Sequence, residues 1–171
     1  SVVPAGTLIP PTLVAPSNAA ANQPLALTLK WRKVATAGDY HLQVSTSPTF
    51  SGGMLVDDSA IPDTTYAIAG LSHATTYYWR VESENVEGSS GYSSTWSFTT
   101  TLAVPLPLQP AAGAASQPTN LTLRWNKVTG ATTYGVQVAT DSTFAGGFFL
   151  NDQAVAESLR AVSGLQNGTK Y

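Results

Sequence analysis

Apolar and polar side chains alternate with a period of two through much of this 171-residue chain. The stretch LALTLKW (25–31) places Leu25, Leu27, Leu29 and Trp31 on one face. YHLQV (40–44) places Tyr40, Leu42 and Val44 on one face, with His41 and Gln43 opposite. YYWRV (77–81) groups Tyr77, Trp79 and Val81, and TWSFTT (95–100) groups Trp96 and Phe98 against Ser and Thr. Such alternation marks half-buried antiparallel strands. Turn residues separate the runs: Ala37-Gly38-Asp39, Ser51-Gly52-Gly53, Ile61-Pro62-Asp63 and Glu87-Gly88-Ser89. No stretch shows helical spacing. Short strands with turns about every 8–12 residues predict an all-β sandwich.

The pattern occurs twice. Shifted by 94 residues, the sequence lies on itself without a gap, and 27 of the 62 positions from 16–77 against 110–171 are identical. Trp31 falls on Trp125, Tyr40 on Tyr134, Val44 on Val138, Leu71 on Leu165 and Tyr77 on Tyr171. This is an internal duplication with a domain-sized period. Each unit opens with a Pro-rich segment, near 7–16 and 101–110, and such segments make semi-rigid joints. The division expected is a leader or linker at 1–6, a complete sandwich at 7–100 and a second, incomplete repeat at 101–171.

The order of motifs resembles the fibronectin type III family, in the style common in bacterial surface proteins. The residues that carry the resemblance are L-x-L-x-W (Leu27, Leu29, Trp31) and V-x-x-A-x-x-Y-x-x-Q-V (Val34, Ala37, Tyr40, Gln43, Val44). STSPTF (45–50), G-L-x-x-x-T-x-Y (Gly70, Leu71, Thr75, Tyr77), W-R-V (79–81), N-x-x-G-x-S (Asn85, Gly88, Ser90) and W-S-F-T-T (96–100) follow. The resemblance covers nearly the whole chain and implies tandem immunoglobulin-like sandwiches. It implies seven strands, A-B-E in one sheet and C′-C-F-G in the other, and makes Tyr77 a tyrosine corner whose hydroxyl bonds nearby backbone. The family's integrin-binding RGD tripeptide is absent.

Composition narrows the function. Charged residues are 11% of the chain, against about 25% in typical soluble domains, so the surface is neutral and polar. The net charge is −2, and neither repeat carries the basic excess of a nucleic-acid binder. There is no cysteine, hence no disulfide and no Cys-based zinc site. No apolar run approaches the roughly 18 residues of a membrane span. The chain starts SVVPAG, without Met or a signal pattern, which reads as a processed product or a piece of something longer.

The second repeat stops at Tyr171, where the resemblance puts the start of strand F, and has no counterparts of Trp79, Val81, Trp96 and Phe98. Burying a large apolar side chain is worth ~1.5–3 kcal/mol, so residues 101–171 are not expected to make an independently stable sandwich. Strand C of that repeat also faces an open edge. Three explanations follow: further residues of a longer protein, strands supplied by another molecule as in donor-strand complementation, or a truncated unit that is partly disordered or leans on the first. The core is expected to comprise Trp31, Tyr40, Val44, Leu71, Tyr77, Trp79, Val81, Trp96 and Phe98, with Trp125, Tyr134, Val138, Leu165 and Tyr171 in the second repeat.

Candidate chemistry is sparse. His41 points outward from its strand, His73 sits in a turn, and neither has partners at ligand spacing. Asp57-Asp58 reads as a turn after strand C′; adjacent acids can bind calcium, but no D-x-D-x-D loop supports it and solvated turn residues are the plainer reading. Ser and Thr suit outward strand faces, and no nucleophile elbow accompanies them. The double glycines precede neither a helix nor a Lys-Ser/Thr pair, so they read as hairpin turns rather than a phosphate loop. One surface stands out. His41, Gln43, Tyr78, Arg80 and Glu82 form a mixed polar-aromatic face that suits a glycan or protein ligand. The plainer reading is a solvated face with Arg80 laid over a neighbouring ring.

These readings converge on a non-enzymatic extracellular or cell-surface protein, bacterial in style, that spaces, presents or adheres. No catalytic residue, metal or cofactor is expected. The expected partners are other domains of the same protein or neighbouring subunits, with a glycan or protein ligand on the mixed face. The rivals are a filament subunit assembled by strand exchange through the incomplete repeat, and a recognition module using the face of strands C and F.

Overall fold

The computed structural model describes residues 7–171; the stretch 1–6, expected to be a leader or linker, lies outside the described residues. The chain divides between Thr101 and Leu102, one residue later than the sequence suggests. Thr101 belongs to the first unit because its N–H donates to the Gln23 carbonyl and its own carbonyl accepts from Ala74.

The first unit has nine strands among the described residues. These are β1 (Leu13–Ala15), β2 (Ala20–Gln23), β3 (Leu27–Trp31), β4 (Asp39–Ser45), β5 (Met54–Ile61), β6 (Thr65–Ile68), β7 (Thr76–Asn85), β8 (Gly88–Ser89) and β9 (Trp96–Thr100). One sheet has the order β1-β3-β6 and the other β2-β9-β7-β4-β5, with β8 paired to β7. This is the expected A-B-E and C′-C-F-G arrangement with two additions. The first strand changes sheets: Pro16 cannot donate to a ladder, and the chain resumes as β2 beside β9. β8 closes a tight hairpin on the end of β7.

Inward positions fill the space between the sheets. Leu29, Leu42, Val44, Trp79, Val81 and Phe98 are fully buried, and Trp31, Tyr40, Leu71 and Tyr77 nearly so. Trp96 is only partly buried, set edge-on to Trp79 with ring centroids 6.1 Å apart. Two buried tyrosines tie their hydroxyls to backbone. Tyr40 accepts from the Val34 N–H at 2.9 Å, and Tyr77 accepts from the Ser72 N–H at 2.9 Å. The Gly52-Gly53 hairpin needs glycine: Gly53 has φ +64°, and a Cβ there would meet the Thr46 hydroxyl at 2.1 Å.

The second unit repeats the first half of this plan. Its strands are β10 (Pro107–Gln109), β11 (Leu121–Trp125), β12 (Tyr134–Val138), β13 (Leu150–Val155) and β14 (Leu159–Val162). They pair as β10-β11-β14 and β12-β13. Tyr134 is buried and accepts from the Val128 N–H at 3.0 Å, as Tyr40 does from Val34. Four residues expected in the core are not buried there. Trp125, Val138 and Leu165 are half-buried, and Tyr171 is 38% exposed where Tyr77 is 4% exposed. The cause is cover: Trp79, Val81 and Phe98 close the core of the first unit, and no described strand does so in the second.

Asp141 occupies the turn position that Ser47 holds in the first unit. Its carboxylate accepts from the Thr143 hydroxyl at 2.6 Å, from the Thr143 N–H at 3.0 Å, and from the Ala145 and Gly146 N–H groups. These donors, Thr143 first, hold its pKa at about 2, below the ordinary 3.8. A depressed carboxylate stabilises the folded turn above its unfolded pKa and loses that contribution as pH falls through the folded value. Carboxyl chemical shifts followed by NMR should therefore show Asp141 titrating near pH 2. A midpoint at 3.8 or above would show that the turn is not formed.

Candidate functional site

The candidate site is the outward face of β4, β5 and β7. Period two sends Leu42 and Val44 inward and His41 and Gln43 outward on β4. It sends Tyr77, Trp79, Val81 and Ser83 inward on β7, and Tyr78, Arg80, Glu82 and Glu84 outward. Register then sets neighbours: His41 lies opposite Glu82, and Gln43 opposite Arg80 on one side and Asp57 on the other.

These groups bind one another. The Arg80 guanidinium donates twice to Gln43 Oε1, at 2.9 and 2.7 Å. Gln43 in turn donates to Asp57 at 3.1 Å. Arg80 also lies between two rings, with its Cζ 4.0 Å from the centroids of both Phe50 and Tyr92. His41 is held from both sides, with Nε2 2.6 Å from Asp57 Oδ1 and Nδ1 3.1 Å from Glu82 Oε1. The Tyr92 hydroxyl is 3.0 Å from Nδ1. The His41 and Gln43 hydrogen bonds hold the Asp57 carboxyl below its usual range. Burial, and then the Glu82 charge, push the Tyr92 hydroxyl up.

The structure corrects two expectations. Asp57 and Asp58 lie within β5, not in a turn after it, because the strand continues to Ile61 past a register irregularity opposite Tyr40 and Leu42. Asp58 bonds the Ala60 N–H. His41 does have carboxylate neighbours: His41, Glu82 and Glu84 each offer a ligand atom, all within 4.8 Å of one another. Sequence spacing hid this because the pairing is cross-strand. The available signal was Glu82 and Glu84 two apart on one strand face. The other residues fall as follows. Tyr78 is half-buried at the level of Ser45 and Ser97, away from the cluster. His73 faces the Thr101 carbonyl at 3.1 Å. Phe50 and Tyr92, which bracket Arg80, were not anticipated as part of this face.

The second unit carries Gly135 in place of His41. It instead shows a groove of about 380 Å³ lined by Leu123, Trp125, Tyr134 and Val136 together with Pro105, Pro107 and Pro110. In the first unit the corresponding Leu29, Trp31, Tyr40 and Leu42 share one core with Trp79, Val81 and Phe98.

No family model matches the chain, and no curated protein matches it. The sheet orders and the tyrosine hydroxyl bonded to Ser72 decide the architecture. The first unit has the fibronectin type III fold. Solved structures to which the chain is similar are fibronectin type III domains. A fibronectin type III-like protein from Clostridium thermocellum is 20% identical, with 56% of this chain and 95% of that one covered and a TM-score of 0.44. The domain of human collagen alpha-1(XX) chain is 23% identical, with 62% and 97% covered and a TM-score of 0.47. The sixth domain of human fibronectin type III domain containing protein 3 is 23% identical, with 62% and 95% covered and a TM-score of 0.41. No helix among the described residues is long and apolar enough to cross a membrane.

The Arg80 stack should contribute measurably to the stability of the first unit. A cation between two rings is worth about 0.5–2 kcal/mol. Arg80→Met keeps much of the apolar stem and removes the guanidinium. Urea denaturation should show a loss of about 1 kcal/mol, and no change would mean the stack is not held in solution.

Proposed function

We propose that the chain is a non-enzymatic spacer and adhesion module in the extracellular part of a multidomain protein. The supporting observation is the parallel pairing of β2 with β9, Ala20 opposite Phe98 and Gln23 opposite Thr100. Parallel terminal strands bring the chain into the sandwich at one pole and out at the other. Tension on the ends then loads the β2–β9 ladder in shear, across several hydrogen bonds together. The duplication and the Pro-rich openings of both repeats suit an array built from such blocks. Arg80, Gln43 and Asp57 of the β4–β7 face are engaged with one another, which suits a structural role.

Single-molecule stretching tests the reading. The first unit should give one discrete unfolding event. Its length gain should be roughly 300 Å, from residues 7–101 extending at about 3.3–3.6 Å each. Smooth extension without an event would sink a load-bearing role.

A second reading has its own observation. Among the described residues β12 pairs with β13 alone, whereas β4 pairs with both β5 and β7. Phe144, Phe148 and Phe149 are each more than two-fifths exposed. Phe144 corresponds to Phe50, which Arg80 covers. We infer that β12 accepts an antiparallel strand of alternating aromatic and polar residues, supplied by a neighbouring subunit in a filament. A peptide of residues 76–85 should bind, shift the amide resonances of 134–138 and suppress concentration-dependent assembly. The same peptide with Trp79→Glu should do none of these; equal effects from both would remove the reading.

A further inference from the structure

We propose that His41, Glu82 and Glu84 form a binding site for a divalent transition-metal ion, with Zn²⁺ as the best fit. The argument starts from donor counting. Both ring nitrogens of His41 face carboxylate oxygens, Nε2 toward Asp57 at 2.6 Å and Nδ1 toward Glu82 at 3.1 Å. A neutral imidazole has one N–H and one lone pair. With its N–H given to Asp57, it keeps a lone pair on Nδ1, beside Glu82 and the Tyr92 hydroxyl, that can ligate a cation.

Three observations favour the metal. Glu82 is only 9% exposed, and a carboxylate so far out of water, bonded here by His41 and the Tyr92 hydroxyl, is further stabilised by a close positive partner. Arg80 does not supply it, since its guanidinium is given to Gln43 and the two rings. Glu84, diagonal to His41 across the β4–β7 pair, brings a second carboxylate into the same space. A divalent ion placed between them meets both carboxylates at once. The Asp57–His41 contact is also the outer-shell arrangement that orients a metal-binding imidazole, a carboxylate on the far ring nitrogen fixing the tautomer and raising basicity. Tyr92 closes a third side.

The donor set selects the ion. One imidazole nitrogen with two carboxylates suits zinc, whereas magnesium and calcium take oxygen ligands alone. Zinc ligands sit about 2.0–2.2 Å from the ion. The three atoms, now within 4.8 Å of one another, reach that distance when the carboxylates rotate inward. A fourth position is left for water. The second repeat has Gly135 at the histidine position, so one such site is expected among the described residues.

Calorimetric titration of the full chain with zinc chloride tests this. Saturable binding of one ion per chain is expected, with no comparable binding of calcium. His41→Gln and Glu84→Gln should each weaken it by about a hundredfold or more, and Asp57→Asn by about 10–100-fold. His73→Gln should bind as the parent does. NMR of the unaltered protein gives an independent reading: zinc should shift the His41 ring resonances and spare those of His73. No saturable zinc binding, calcium binding as tight as zinc, or affinity unchanged in either His41→Gln or Glu84→Gln overturns the proposal.

Discussion

Strand β7 works in two environments at once, because successive side chains of a strand point to opposite faces. Its inward set, Tyr77, Trp79, Val81 and Ser83, meets the core and the covering segment; Ser83 is fully buried and donates to the Ile9 carbonyl at 2.8 Å. Its outward set, Tyr78, Arg80, Glu82 and Glu84, builds most of the polar face. One register fixes both. A slip of one residue against β4 would bring Arg80 and Glu82 into the core and push Trp79 out. The cost of burying those charges makes the observed register the only one compatible with a closed sandwich. The face is therefore as rigidly defined as the core, although it lies on the surface.

The second unit shows what that strand contributes by comparison with the first. Pairs made within the first five strands persist. Trp125 meets Tyr134 edge-on at 5.4 Å, as Trp31 meets Tyr40 at 5.6 Å, and both tyrosine hydroxyls take a backbone N–H. Contacts that depend on β7 or β9 are missing. Tyr77 stacks on Phe98 with centroids 5.6 Å apart, whereas Tyr171 meets the half-exposed Phe149. Local strand pairing forms the frame, and the aromatic fill of β7 and β9 turns the frame into a core.

Most of the frame was legible in the sequence, because period two and turn residues report local physics directly. The strands of LALTLKW, YHLQV, YYWRV and WSFTT all appear, in the sheets that the resemblance implies. The switch of the first strand between sheets was not legible: AANQ (20–23) lacks the alternation that signals a buried face, and β2 exists because β9 offers it an edge. The candidate site was half legible. Alternation put His41, Gln43, Arg80 and Glu82 on one face. It did not show that Asp57 belongs to a strand, since a run of Asp-Asp-Ser reads as a turn and only pairing with β4 overrides that. Nor did it show Tyr92 reaching across to His41, a contact between residues 51 apart in sequence.

The two repeats divide constraint between their faces in a way that separates shape from chemistry. Inward positions coincide: Leu29 with Leu123, Trp31 with Trp125, Tyr40 with Tyr134, Val44 with Val138. Two outward positions of the cluster diverge, His41 to Gly135 and Asp57 to Asn151, while Gln43 is kept as Gln137. In the second unit the side chain of Gln153 lies where a Cβ on Gly135 would point, 2.7 Å from it. An imidazole there would have to displace Gln153 and would find Asn151 in place of a carboxylate. The fold needs none of the cluster around His41, because the second unit builds the same A, B, C, C′ and E strands without it. Three carboxylates, Asp57, Glu82 and Glu84, gather about one histidine without serving that frame. A cation bound there, as proposed, would give the arrangement a physical basis that the fold by itself does not supply.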